Sequence, residues 1–147
     1  MTPDEVVTNI DRLNGQTVTV AGYLSECAGY ECVLYTDQKQ ANLAKAWTDR
    51  LQAAAHAKKQ FSEKPDSSWY LNSLGIGTGG EIRPGDKSRG TTDCYFEFDC
   101  KAAKFRHSYV LIKGKVTNRC RFKGEPECLD RSTDLEPISI QAWNRNG

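Results

Sequence analysis

Three kinds of residue in this 147-residue chain bear on chemistry: six cysteines, two histidines and an unopposed run of lysines and arginines. The cysteines form three local pairs, Cys27/Cys32, Cys94/Cys100 and Cys120/Cys128, with four, five and seven residues between partners. Structural zinc sites pair a tight Cys-x-x-Cys-like knuckle with a second such pair or with two closely spaced histidines. Only the first pair reaches the edge of that spacing, and His56 and His107 lie far apart in the chain. No C-x-x-C redox motif occurs. Metal ligation and buried free thiols remain alternatives, but three nearest-neighbour disulfides fit best, because each pair brackets a turn or a strand end. In the chain-entropy model, bridges closing loops this short contribute roughly 2–2.6 kcal/mol each. Disulfides imply an oxidising compartment. The expectation is therefore a periplasmic or secreted protein. The chain opens MTPDE, without the basic and apolar segments of a signal peptide, so an exported chain implies a leader that is absent here.

Catalytic patterns do not emerge. G-x-S-x-G, H-E-x-x-H and Walker sequences are missing from the chain. His107 follows Lys104 and Arg106, whose positive charge opposes its protonation, and it reads as a surface residue at a strand edge. Asp130 and Asp134 flank Arg131 in CLDRSTDLEP, a pattern of a hydrogen-bonded turn more than of a hydrolytic pair. Gly75, Gly77 and Gly80 imitate a nucleotide-binding fingerprint, but no β-branched strand precedes them and no helix pattern follows. The expectation is a protein that is not an enzyme, with no cofactor and no metal.

The cations are more informative. Between Cys100 and Glu125 no acidic residue occurs, while Lys101, Lys104, Arg106, Lys113, Lys115, Arg119, Arg121 and Lys123 all do. In a strand, successive side chains point to opposite faces. HSYVLIKGKV thus sends Val110, Ile112 and Val116 one way and Tyr109, Leu111, Lys113 and Lys115 the other. Basic grooves with aromatic platforms bind single-stranded nucleic acids and other polyanions, although lysines also protect strand edges from aggregation. Tyr109, Lys113, Lys115, Arg119 and Arg121 are the candidate binding residues.

The elements that must position them are legible in outline. At 38% hydrophobic and 27% charged, with net charge +1, the chain fits one domain over residues 1–147, and its overall charge calls for neither nucleic acid nor membrane. No apolar run approaches the roughly 20 residues of a membrane span. Thr2, Pro3 and Glu5 make a helix start with a capping box, and Val6, Val7, Ile10 and Leu13 share a face. TVTVAGYL alternates as a strand, CAGYEC turns the chain and ECVLYTD returns it. Asp37 and Gln40 cap a helix from about 38 to 60, whose stripe of Ala44, Trp47, Leu51 and Ala54 packs on one face or end of a sheet. A glycine-rich surface loop is expected at about 62–92, anchored by Trp69, Tyr70, Leu71 and Leu74. CYFEFDC reads as a short strand, and EPISIQAW as the last, with Ile138, Ile140 and Ala142 inward. Val18-x-Val20-x-Gly22-x-Leu24 and Val110-x-Ile112-x-Gly114-x-Val116 share an alternation interrupted by glycine, the mark of a bulge or corner where a sheet coils.

This inventory is α+β, mainly β: a small, partly open, five-stranded OB-like β-barrel with an N-terminal helix and one long helix between strands. LNGQTVTVAGYL followed by VLYTD, and the later YVLIKGKV, resemble small bacterial OB-fold-like exported proteins of uncharacterised function over about a third of the chain. The resemblance implies a fold and no activity. The combined expectation is a binding module of the cell envelope that engages a protein or an anionic polymer through an outer strand face and the long loop. Two alternatives remain: an inhibitor or immunity-type protein that blocks a secreted enzyme or toxin, and a cytosolic zinc-binding or single-stranded nucleic-acid-binding protein.

Overall fold

The alternating segment TVTVAGYLSECA forms one strand, β1 (Thr17–Ala28), and the rest of the sheet is assembled on it. The computed structural model describes residues 1–29, 31–78, 94, 96–121 and 133–145. β1 is long enough to pair on both sides. Its second half meets β2 (Glu31–Tyr35), and its first two-thirds meets β4 (Ser108–Val116). β3 (Leu74–Gly75) extends the sheet beyond β2, and β5 (Leu135–Ala142) extends it beyond β4. The order is β3-β2-β1-β4-β5, with every neighbouring pair antiparallel. The sheet is not closed. Its two edges approach at an isolated parallel bridge between Ile76 and Leu135, where the Gly77 N–H donates to the Leu135 carbonyl and the Asp134 N–H to the Gly75 carbonyl, each at 2.9 Å.

One face of this sheet is apolar because alternation collects Val20, Leu24, Leu34, Val110, Ile112 and Val116 there, all fully buried or nearly so. Helices α1 (Pro3–Thr8) and α2 (Ile10–Leu13) add Val6, Ile10 and Leu13 to that core. The expected first helix is broken at Asn9, whose side-chain amide donates to the Glu5 carbonyl at 2.8 Å and competes with continuation of the helix. The capping box at Thr2 and Glu5 is present.

The two strand glycines answer a need for space. A Cβ at Gly22 would lie 2.6 Å from the Tyr35 carbonyl oxygen, and one at Gly114 would lie 2.6 Å from that of Glu136. At Gly114 the register with β5 also shifts: Lys113 pairs with Ser139 and Gly114 with Pro137, so Ile138 is the extra residue of a bulge. The expectation that Ile138 faces inward is therefore corrected. It is 58% exposed, and Ala142, also expected inward, is exposed near the strand's end, while Ile140 packs against the core.

Two further expectations change. The described second half of CYFEFDC does not form the expected strand; it opens helix α5 (Glu97–Ala102). Phe96 and Phe98 suit period two, but Phe98 and Ala102, four residues apart, are the pair that enters the core. The Asp99 carboxylate fixes the start of this helix by accepting from the Phe96 N–H at 2.6 Å and from the Gly29 N–H at 2.7 Å. The third strand is instead Leu74–Gly75, inside the segment read as loop. Of the loop expected at 62–92, residues 62–78 are described, and they also carry α4 (Ser67–Tyr70); the remainder lies outside the described residues.

The long helix, α3 (Gln38–His56), starts where expected, with the Asp37 carboxylate accepting from the Gln40 N–H at 2.9 Å, and stops four residues earlier than expected, before Ala57. Its buried residues are Ala41 and Ala44. Trp47, farther along, packs on Phe61 and Trp69, each 5.7 Å away between ring centroids, and its indole N–H donates to the Glu63 carbonyl. Only the first half of α3 thus rests on the sheet. Cys27–Cys32 joins directly paired residues of β1 and β2, and Cys94–Cys100 ties the chain to the first turn of α5. Cys120 is disulfide-bonded; Cys128, its expected partner, lies outside the described residues.

Candidate binding face

The strand alternation that fills the core with Val110, Ile112 and Val116 turns Tyr109, Leu111, Lys113 and Lys115 outward. Pairing then supplies each of them with neighbours. Tyr109 lies opposite Tyr23, Leu111 opposite Ala21, Lys113 opposite Thr19 and Lys115 opposite Thr17 on β1. On the other side, β5 places Gln141, Ser139 and Glu136 beside Leu111, Lys113 and Lys115. The outer face is therefore aromatic at one end and basic at the other.

The aromatic end is a row. Tyr35 pairs with Tyr23, and Tyr23 with Tyr109; the Trp143 N–H donates to the Tyr109 carbonyl at 3.0 Å and adds its indole beyond. Ring centroids are 5.1 Å apart for Tyr23 and Tyr109 and 6.0 Å for Tyr109 and Trp143, both edge-to-face, an arrangement that satisfies the ring quadrupoles. The first turn of α3 closes one side of the row, its Gln38 N–H donating to the Tyr109 hydroxyl at 3.1 Å. Burial raises the pKa of Tyr23, with the Tyr109 phenol adding to it, and burial raises that of Tyr35. Arg145 stacks on the row, its guanidinium carbon 4.2 Å from the Tyr109 centroid and 5.6 Å from that of Trp143.

Tyr109, Lys113 and Lys115 thus share one face; Arg119 reaches only its margin, through Glu136, and Arg121 does not join them. Lys113 and Lys115 are exposed, and among the described residues no carboxylate forms an ion pair with them. Arg119 lies past the end of β4 and pairs with Glu136 at 3.3 Å. Arg121 turns toward the seam between the sheet edges. Its Nε and Nη2 donate to the two carboxylate oxygens of Asp134 at 2.8 and 3.0 Å, and Nη1 and Nη2 also donate to the carbonyls of Leu71 and Ser73 at 3.2 and 2.8 Å. Asp134, expected in a turn, is buried there and also accepts from the Gly75 N–H at 2.8 Å. Asp130 and Arg131 lie outside the described residues.

Sequence reasoning missed Tyr23, Trp143 and Arg145. A signal for the last two existed: Ser139, Gln141, Trp143 and Arg145 continue one parity of EPISIQAWNR. What it lacked was the β4–β5 register that sets this parity against Tyr109. His107 has a positive φ of 61°, donates its N–H to the Leu24 carbonyl at 2.7 Å, and holds its Nε2 3.2 Å from a Glu26 carboxylate oxygen. Among the described residues no group of three or more His, Cys, Asp or Glu is placed to hold a metal ion, and no helix is long and apolar enough to cross a membrane. No family model, curated protein or solved structure matches the chain.

Proposed function

We propose that this protein is a non-catalytic binding module of an oxidising compartment, periplasmic or extracellular, that holds an anionic partner on the outer face of β4. One observation carries the reading. Lys113 and Lys115 stand side by side in parity on an exposed strand face, without ion-pair partners among the described residues, next to a row of aromatic rings on which a further cation is stacked. Unpaired cations on a rigid sheet attract anions without first breaking an internal ion pair. The Cys27–Cys32 and Cys94–Cys100 disulfides support the compartment, since such bonds persist where thiols are not kept reduced. Sulfurs so bonded are also withdrawn from zinc.

The scaffold is read as a partly open OB-like barrel. Its support is the strand order together with the parallel approach of Ile76 and Leu135, which brings the two sheet edges together at one point. In such a scaffold the inner face is filled by side chains, and the outer face is left to ligands.

The test is retention on an immobilised sulfated polymer at low salt. The double variant K113E/K115E is expected to elute well before the wild-type protein while keeping its far-ultraviolet circular dichroism. Unchanged retention of a folded double variant would overturn the reading.

A further inference from the structure

The cations of the outer face differ in how they are held. Lys113 and Lys115 project from β4 on flexible stems, whereas Arg145 holds its guanidinium over the Tyr109 ring, 4.2 Å from the centroid, with Trp143 at 5.6 Å. A guanidinium stacked by its face keeps its N–H edge directed outward, where two parallel hydrogen bonds to one oxyanion can form. Among the described residues no carboxylate takes that edge. Cation–π contact with two rings fixes the group before any ligand arrives, and less rotamer freedom is then lost on binding.

Spacing adds a second constraint. Along a strand of about 3.3 Å per residue, Lys113 lies roughly 13 Å and Lys115 roughly 20 Å from the Tyr109 row that carries Arg145. A single small anion cannot span these groups; a linear chain with repeated anionic groups can. The same stacking bears on which chain. Arg145 already sits over the Tyr109 ring, and Tyr23 and Trp143 make edge-to-face contacts with it, so Tyr109 offers less open ring surface for the base stacking that single strands use. Thr19 and Ser139 flank Lys113, and Gln141 flanks Leu111, adding neutral hydrogen-bonding groups beside the cations.

Building on the anion-binding reading of this face, we infer that Arg145 is its orienting residue and that the ligand is an extended anionic polysaccharide bearing sulfate or carboxylate groups, lying along β4 with one oxyanion on the Arg145 fork and others on Lys113 and Lys115.

The experiment measures fluorescence anisotropy at low salt with the full chain and three labelled probes: a sulfated hexasaccharide, the corresponding disaccharide, and a single-stranded oligonucleotide of the same charge as the hexasaccharide. The hexasaccharide is expected to bind best, and R145K, which keeps the charge but loses the planar fork, is expected to weaken it about tenfold. If R145K binds like wild type while K113E/K115E still loses binding, the face stands and the role of Arg145 falls. Equal affinity for the disaccharide removes the extended chain, and equal or tighter binding of the oligonucleotide removes the polysaccharide. Failure of the wild-type protein to bind any probe overturns this inference together with the reading beneath it.

Discussion

Arg121 and Arg145 are both anchored arginines near strand ends, and the molecule uses them in opposite ways. At the seam between the sheet edges, Arg121 has its donors taken up by the Asp134 carboxylate and two backbone carbonyls, and Asp134 itself is almost fully buried. On the outer face, Arg145 rests on two aromatic rings, and farther along β4 Lys113 and Lys115 lack ion-pair partners among the described residues. A cation whose hydrogen bonds are all internal holds the fold and cannot recognise anything without breaking it. A cation held only through its ring contact leaves its hydrogen-bonding edge for a partner. The comparison therefore divides a basic run that looks uniform in sequence into a structural part and a binding part.

The sharpest way to break this division is Asp134→Ala. It leaves Arg121 half-buried without its carboxylate and removes the acceptor of the Gly75 N–H, which ties β3 to β5. Loss of one partner of such a pair is expected to cost about 3 kcal/mol, read from urea unfolding midpoints. A loss below about 0.5 kcal/mol, the scale of ordinary surface substitutions, would mean that the seam is not a structural centre.

A smaller effect should separate the buried end of the outer face from its basic end. Tyr23 and Tyr35 have raised pKa values, Tyr35 through burial and Tyr23 through burial with Tyr109 adding to it. The unfolded chain then loses these protons first, near the ordinary tyrosine value of about 10. Their contribution to stability is complete below that value and declines as pH rises through it. The denaturation midpoint should fall between neutral and strongly alkaline pH, and the alkaline part of the fall should shrink in Y23F/Y35F. An identical profile in the variant would show that the two phenols ionise as freely in the folded protein as in the unfolded chain.

The smallest effect on stability is expected at the basic end itself. K113A/K115A should change the unfolding free energy by no more than about 0.5 kcal/mol, because neither ammonium makes an ion pair among the described residues. A drop comparable to that of Asp134→Ala would place these lysines in the structural class with Arg121 and erase the distinction.

Much of the fold was legible because its signals are local. Thr2 and Asp37 mark helix starts through contacts within three residues, and the Cys27–Cys32 bridge spans a single hairpin turn. Local pattern failed where two periods coincide. In CYFEFDC the aromatic residues fit a strand, but the Asp99 carboxylate, by accepting from the neighbouring Phe96 N–H and from Gly29 seventy residues away, fixes the start of a helix at Glu97. It failed again at Leu74–Gly75, a strand too short to show a period.

By itself the amino-acid sequence determined the two faces of β1 and β4 and the glycines at which neighbouring backbones come close, since each follows from side-chain alternation or size. Only the tertiary structure decided which cations are held and which are offered. That choice depends on register and on contacts such as Arg121 with Asp134 or Arg145 with Tyr109, thirteen and thirty-six residues apart in the chain. No local rule brings such partners together; sheet pairing does.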